Sequence, residues 1–200
     1  MSYFGLIRGW RSSDSTAQPL RLDKATNTIQ TIDYAHHEIH AGSSFHAYAY
    51  NASVSTAGTI NIYIKTKSTA PFCHVFGQWS SGGAAIYRIY EAPTITANTG
   101  TNGNAIINHN RNLTATTSGC LDNATVPVAN KYGTDVTKTV DGTILLVEYS
   151  GVGKTIGGSG RNESEYVLLP NTVYLFEVEA VGNNIALNVA IDYYEHTNIA

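Results

Sequence analysis

The densest group of side chains able to ligate a metal or carry a proton is His36-His37-Glu38-Ile39-His40. A helical zinc hydrolase needs H-E-x-x-H, which sets two imidazoles one turn apart beside a general base. Here His37-Glu38 is followed by His40 one residue early, and Ala41 holds the required place, so that motif is absent. In a strand, His36, Glu38 and His40 would project from one face and act together as metal ligands or a pH sensor, with His46, His109 or Glu195-His196 joining from elsewhere. The plainer expectation is polar residues on a half-exposed strand or at a subunit interface, hydrogen-bonded to backbone or to one another. No metal and no cofactor is therefore assigned. With no nucleophile elbow, paired-carboxylate context or cofactor fingerprint, catalysis is not expected.

Gly151-Val152-Gly153-Lys154-Thr155 has the look of a phosphate-binding loop, but G-x-x-x-x-G-K-[ST] requires Gly at 148, where the chain has Glu148. Nor can the necessary helix start on Ile156-Gly157-Gly158-Ser159-Gly160, which reads as a flexible loop. Just beyond it, Arg161 and Glu163 belong to a solvated loop or to a salt bridge between copies. Cys73 and Cys120 are far apart in sequence and neither sits in a C-x-x-C pair, so reduced, partly buried thiols are expected. Sequons starting at Asn51, Asn112, Asn123 and Asn162 follow from an Asn/Thr/Ser-rich composition and carry no weight.

Strands must position these side chains. Charged residues make up only 14% of the chain, Tyr (13) far exceeds Phe (5), and no segment carries an apolar stripe at helical spacing over three turns, so almost no helix is expected. Period-2 or short apolar runs predict strands over Phe45–Tyr50, Thr59–Lys65, Ala85–Glu91, Thr143–Tyr149 and Glu165–Leu169. At the C-terminus, Tyr174, Phe176, Val178 and Ala180 alternate with Glu177 and Glu179. After Val181-Gly182-Asn183-Asn184 the alternation resumes at Ile185, Leu187, Val189, Ile191 and Tyr193, the pattern of a β-hairpin with one buried face. The Asn/Thr/Gly-rich stretch from Thr94 to Gly142 reads as long surface loops with one or two short strands. About eight short strands predict an all-β body over residues 31–200, a two-sheet β-sandwich of jelly-roll type, with an up-and-down barrel as the alternative.

Residues 1–30 sustain neither period and read as an extended N-terminal arm. Arg8, Arg11, Arg21 and Lys24 against Asp14 and Asp23 make the arm +2, which leaves −5 for the rest of a chain of net charge −3. Trp10 between Arg8 and Arg11 offers the residue types enriched in binding hot spots, so the arm is expected to order on a partner. The charge balance gives no footprint for nucleic acid or an anionic membrane. No apolar stretch approaches a membrane span or a secretory signal, and a soluble chain is expected.

Five stretches together resemble a family of small virion proteins of tailed bacteriophages, whose genes accompany those of the head. They are Asp33-Tyr34-Ala35-His36-His37-Glu38-Ile39-His40-Ala41-Gly42-Ser43, Asn108-His109-Asn110-Arg111-Asn112, Ile156-Gly157-Gly158 with Arg161-Asn162-Glu163, Leu169-Pro170-Asn171-Thr172 leading into Tyr174-Leu175-Phe176, and Asp192-Tyr193-Tyr194-Glu195-His196. The resemblance implies a capsid decoration (cement) protein, made in the host cytoplasm and carried on the capsid surface of the virion, which it stabilises. A tail or head-fibre module binding a receptor or carbohydrate is the alternative. The implied partners are the major capsid protein and further copies of the chain, as a homotrimer or another ring-closed oligomer. The capsid or subunit interface is then expected at Arg8, Trp10, Arg11, His36, His37, Glu38, His40, Arg161 and Glu163, and no catalytic residue is carried over.

Overall fold

The computed structural model describes residues 8–10, 17–19, 34–96, 101–102, 106–113, 118–122, 132–151 and 165–197. Contacts divide the chain into two units, residues 1–37 and 38–200. In the first, strand β1 (Arg8–Trp10) pairs antiparallel with β2 (Ala17–Pro19), Gly9 opposite Gln18. Arg8 and Trp10 thus lie on a strand, whereas Arg11, Arg161, Glu163 and the expected arm boundary at residue 30 fall outside the described residues.

One departure from the sequence reading is helix α1 (Tyr34–Ala41), where strand is expected. Its end is well specified. Gly42 adopts φ 78°, its amide donates to Ile39 O at 3.1 Å, and the Ser43 amide donates to Glu38 O at 2.9 Å. That reciprocal pair is a Schellman cap, which glycine permits because it has no Cβ to oppose positive φ. At eight residues α1 is too short to show a sustained apolar period, and among the described residues it is the only helix. Among the described residues no helix is long and apolar enough to cross a membrane.

The second unit is a β-sandwich. Its strands are β3 (Ser44–Val54), β4 (Thr59–Lys65), β5 (Phe72–Ser81), β6 (Ala85–Glu91), the short β7 (Thr94–Ile95), β8 (Thr101–Asn102), β9 (Ile107–Asn108), β10 (Tyr132–Thr134) and β11 (Lys138–Val140), then β12 (Thr143–Ser150), β13 (Tyr166–Val167), β14 (Val173–Ala180) and β15 (Ile185–His196). One sheet runs β12-β6-β14-β4-β10-β8 and the other β13-β5-β15-β3-β9, with β7 and β11 forming a separate pair. Both sheets are antiparallel throughout.

The expected C-terminal hairpin is a crossing between sheets. β14 hydrogen-bonds β4 and β6, while β15 hydrogen-bonds β3 and β5. Both strands turn their apolar sets to the same core, which gives the alternation a hairpin would give, and four linking residues can span sheets packed about 10 Å apart. Asn184 takes φ 56° in this link, and Asn183 Oδ1 accepts from the Thr56 amide at 3.0 Å and hydroxyl at 2.9 Å, tying it to the neighbouring β3-to-β4 link.

Between the sheets lie Phe45, Ile62, Val75, Tyr87, Phe176, Leu187 and Ile191, all at most 1% exposed. Each aliphatic or aromatic side chain so buried contributes about 1.5–3 kcal/mol. Packing there is close enough to demand glycine at position 77, where a Cβ would stand 2.0 Å from the Tyr87 hydroxyl oxygen. A second, smaller apolar cluster of Tyr63, Tyr90, Val136 and Leu175, with Ile95 against it, covers the outer face of the six-stranded sheet. The stretch read as surface loops therefore supplies a lid for that sheet.

Candidate functional site on the five-stranded sheet

Strands β3, β5 and β15 alternate side chains between the core and an outer face. On β5, Cys73, Val75 and Trp79 are buried inward, and Phe72, His74, Phe76 and Gln78 are half-buried outward. Register aligns Asp192 with His46 on one side and Phe76 on the other, and Tyr194 with Ser44 and His74. The outer face thus carries His46, His74, Asp192 and His196 on neighbouring strands.

The centre of this face is built from three segments. His46 Nδ1 lies 2.6 Å from Asp192 Oδ1, and His109 Nε2 lies 3.5 Å from the same oxygen. The Ser44 hydroxyl meets His109 Nδ1 at 2.8 Å, and the Gln78 amide donates to the other Asp192 oxygen. Burial alone would disfavour the Asp192 carboxylate, but hydrogen bonds from His109 and His46 outweigh it and hold the group well below the usual carboxylate range. The three side chains stay 23–33% exposed, so the cluster is accessible.

His109 is delivered by an asparagine-rich loop. Buried Asn108 donates to Gly42 O at 2.7 Å and accepts from the Asn110 amide at 2.7 Å, and Asn110 in turn accepts from the Asn112 amide at 3.2 Å. Such Asx turns fix a loop through its own side chains. Asn110 also donates to His40 O at 3.1 Å, and the His109 amide donates to Ser44 O at 2.9 Å. Parts of three stretches that carry the resemblance (residues 40–42, 108–112 and 192) therefore meet at one corner of the body.

A second histidine–carboxylate pair lies along the same face. His74 Nδ1 is 2.6 Å from Glu165 Oε1, its ring stacks on Tyr194 at 4.8 Å and meets His196 edge-on at 5.9 Å, and the Tyr194 hydroxyl donates to that same Glu165 oxygen. Glu195, expected to join the histidines, instead accepts at Oε1 from the Ser118 hydroxyl at 2.7 Å and the Cys120 amide at 3.0 Å. This bracing places Cys120 beside Cys73. Both thiols are free and buried, and burial, with Cys120 as hydrogen-bond partner, pushes the Cys73 thiol well up.

The strand arrangement considered for His36, Glu38 and His40 does not form. In α1 each residue advances about 100°, so positions 36 and 38 fall on opposite sides. Glu38 is buried, while His37 and His40 are exposed. The structure gathers His46 and His109 around Asp192, a residue that sequence reasoning did not connect to them. No local signal links positions 46, 109 and 192, because the register of β3 and β15 and the path of a loop bring them together. No family model matches the chain, and no curated protein or solved structure matches it either.

Proposed function

We propose that the chain is a structural protein of a tailed-bacteriophage virion, a decoration protein present in many copies on the outer head surface. The observation that carries this reading is edge strand β12. Among the described residues it pairs only with β6, and Ile144, Val147 and Tyr149 stand 48%, 55% and 59% exposed on it. From Leu146 to Ser150 its register with β6 is unbroken. A bulge interrupts the edge between Ile144 and Leu146, and beyond it the run to Ser150 holds no proline and is regular enough for another chain to pair on it. A protein that works within an array of copies has a use for it.

Strand order supports a jelly-roll reading of the sandwich. If β3, β4, β5, β6, β12, β13, β14 and β15 are counted one to eight, the sheets run 1-8-3-6 and 5-4-7-2. That is the order of two interlocked Greek keys, an architecture that recurs in viral capsid and lectin domains. The partners in this reading are the major capsid protein and further copies of the chain in a trimer, with Arg8, Trp10 and Arg11 assigned to attachment. One feature favours a carbohydrate-binding tail or fibre module instead: Tyr48 and Tyr50 are exposed on the open sheet face, where flat rings suit sugar contacts. Quantitative mass spectrometry of purified virions separates the two. Tens to hundreds of copies per particle are expected; a handful supports the fibre reading, and absence from virions overturns both.

A further inference from the structure

The geometry points to a binding site for one zinc-class divalent transition ion, ligated by His46 Nδ1, His109 Nε2 and Asp192 Oδ1. One ligand atom from each of the three residues lies within 4.8 Å of the others, and the residues come from β3, from the loop at 106–113 and from β15. A tetrahedral ion with bonds of about 2.0–2.1 Å holds its donors about 3.3 Å apart. The observed separations of 2.6 and 3.5 Å from Asp192 Oδ1 to the two imidazoles bracket that spacing, so small adjustments of these side chains bring the carboxylate and each imidazole to ligand distance.

The surroundings are arranged as those of a ligand set. In the ion-free protein His109 Nε2–H points at Asp192; an ion displaces that proton, and the remaining ring proton sits on Nδ1, where Ser44 Oγ at 2.8 Å can accept it. The Gln78 amide occupies Asp192 Oδ2 and leaves Oδ1 to the imidazoles. The buried Asn108 fixes the loop that carries His109, so the third ligand is held in place before any ion arrives. Two imidazoles and one carboxylate favour zinc, nickel or cobalt over magnesium and calcium, which prefer all-oxygen sets. Three ligands come from the described residues, and partial exposure leaves the fourth position open to water or to another donor. Bound there, the ion would clamp the asparagine-rich loop onto β3 and β15. The neighbouring His74–Glu165 pair is a different case, since the Tyr194 hydroxyl already takes the oxygen that faces His74.

The test is calorimetric titration of the full-length protein with zinc chloride in a non-chelating buffer, followed by thermal unfolding with and without saturating zinc. One equivalent should bind with Kd at or below about 10 μM, and Tm should rise by several degrees. His109→Ala and Asp192→Asn should each weaken binding at least tenfold, and Ser44→Ala, which disturbs only the orientation of His109, by about tenfold. His196→Ala should bind as the wild type does, and magnesium chloride should give no heat. Absence of binding by wild type at 1 mM zinc, or wild-type affinity in His109→Ala, overturns the assignment. Loss of binding in His196→Ala moves the site to the other pair and overturns it equally. If a substitution at 109 or 192 prevents folding, the wild-type titration and Ser44→Ala decide.

Discussion

The two sheets turn outer faces of opposite character to their surroundings. Over the six-stranded sheet the chain lays its own cover, with Val136 and Ile95 packing on Tyr63, Tyr90 and Leu175. Charge there is satisfied locally: Lys138 Nζ reaches Asp141 at 2.8 Å, Glu177 at 3.1 Å and the Tyr90 ring at 3.5 Å. Over the five-stranded sheet no strand among the described residues forms such a cover, and His46, Asp192 and Gln78 share the face with exposed Tyr48 and Tyr50. Polar groups of the same types therefore serve stability where the chain encloses them and remain available to a ligand where it does not.

Removing the cation of the covered face should break this contrast most sharply. Lys138→Met takes the nearest cation from the Glu177 carboxylate, 5% exposed, leaving it the Tyr90 hydroxyl and the charge of Arg88 on the facing strand, and should cost about 2 kcal/mol in the urea-unfolding free energy. A loss below about 1 kcal/mol would mean that the two faces do not differ in this respect. The interior between them is tested by alkali. Burial, aided by the Glu148 charge, pushes the Tyr87 hydroxyl well up, and burial with a hydrogen bond to Glu91 does the same for Tyr174. A tyrosine whose folded pKa is raised stays neutral in the folded chain while the unfolded chain ionises near pH 10, so its stabilising contribution is intact below that value and is lost as pH rises towards the folded pKa. Stability should hold to about pH 9 and fall above about pH 10 by about 1.4 kcal/mol per pH unit for each such tyrosine. A urea midpoint at pH 11 equal to that at pH 8 would contradict the burial described. The smallest effect belongs to the open face, where His109→Ala in metal-free protein should change stability by no more than about 0.5 kcal/mol. A loss above about 2 kcal/mol would make the cluster a structural brace.

Much of this frame is legible in the residues, and the failures have physical causes. β4 and β6 run as their period-2 patterns predict, Thr59–Lys65 and Ala85–Glu91. β5 escapes notice because its outward positions include Phe72 and Phe76 and its inward ones Gly77 and Ser81, which blurs the contrast between its faces. The C-terminal alternation reports burial of β14 and β15 but not which neighbours they pair with, so a sheet crossing looks like a hairpin. The histidine-rich segment misleads in the other direction. Its density at residues 36–40 draws attention, while the three groups that converge are single residues at 46, 109 and 192, invisible to any local spacing. Cys73 and Cys120 are a similar case, far apart in the chain and adjacent in the core.

The most direct test of the open face as a ligand site is anomalous diffraction at the zinc edge from crystals of the full-length protein grown with zinc chloride. One strong peak is expected about 2.0–2.2 Å from His46 Nδ1, His109 Nε2 and Asp192 Oδ1. No peak at that position, or zinc held instead by the α1 histidines or by His74 and His196, would contradict it.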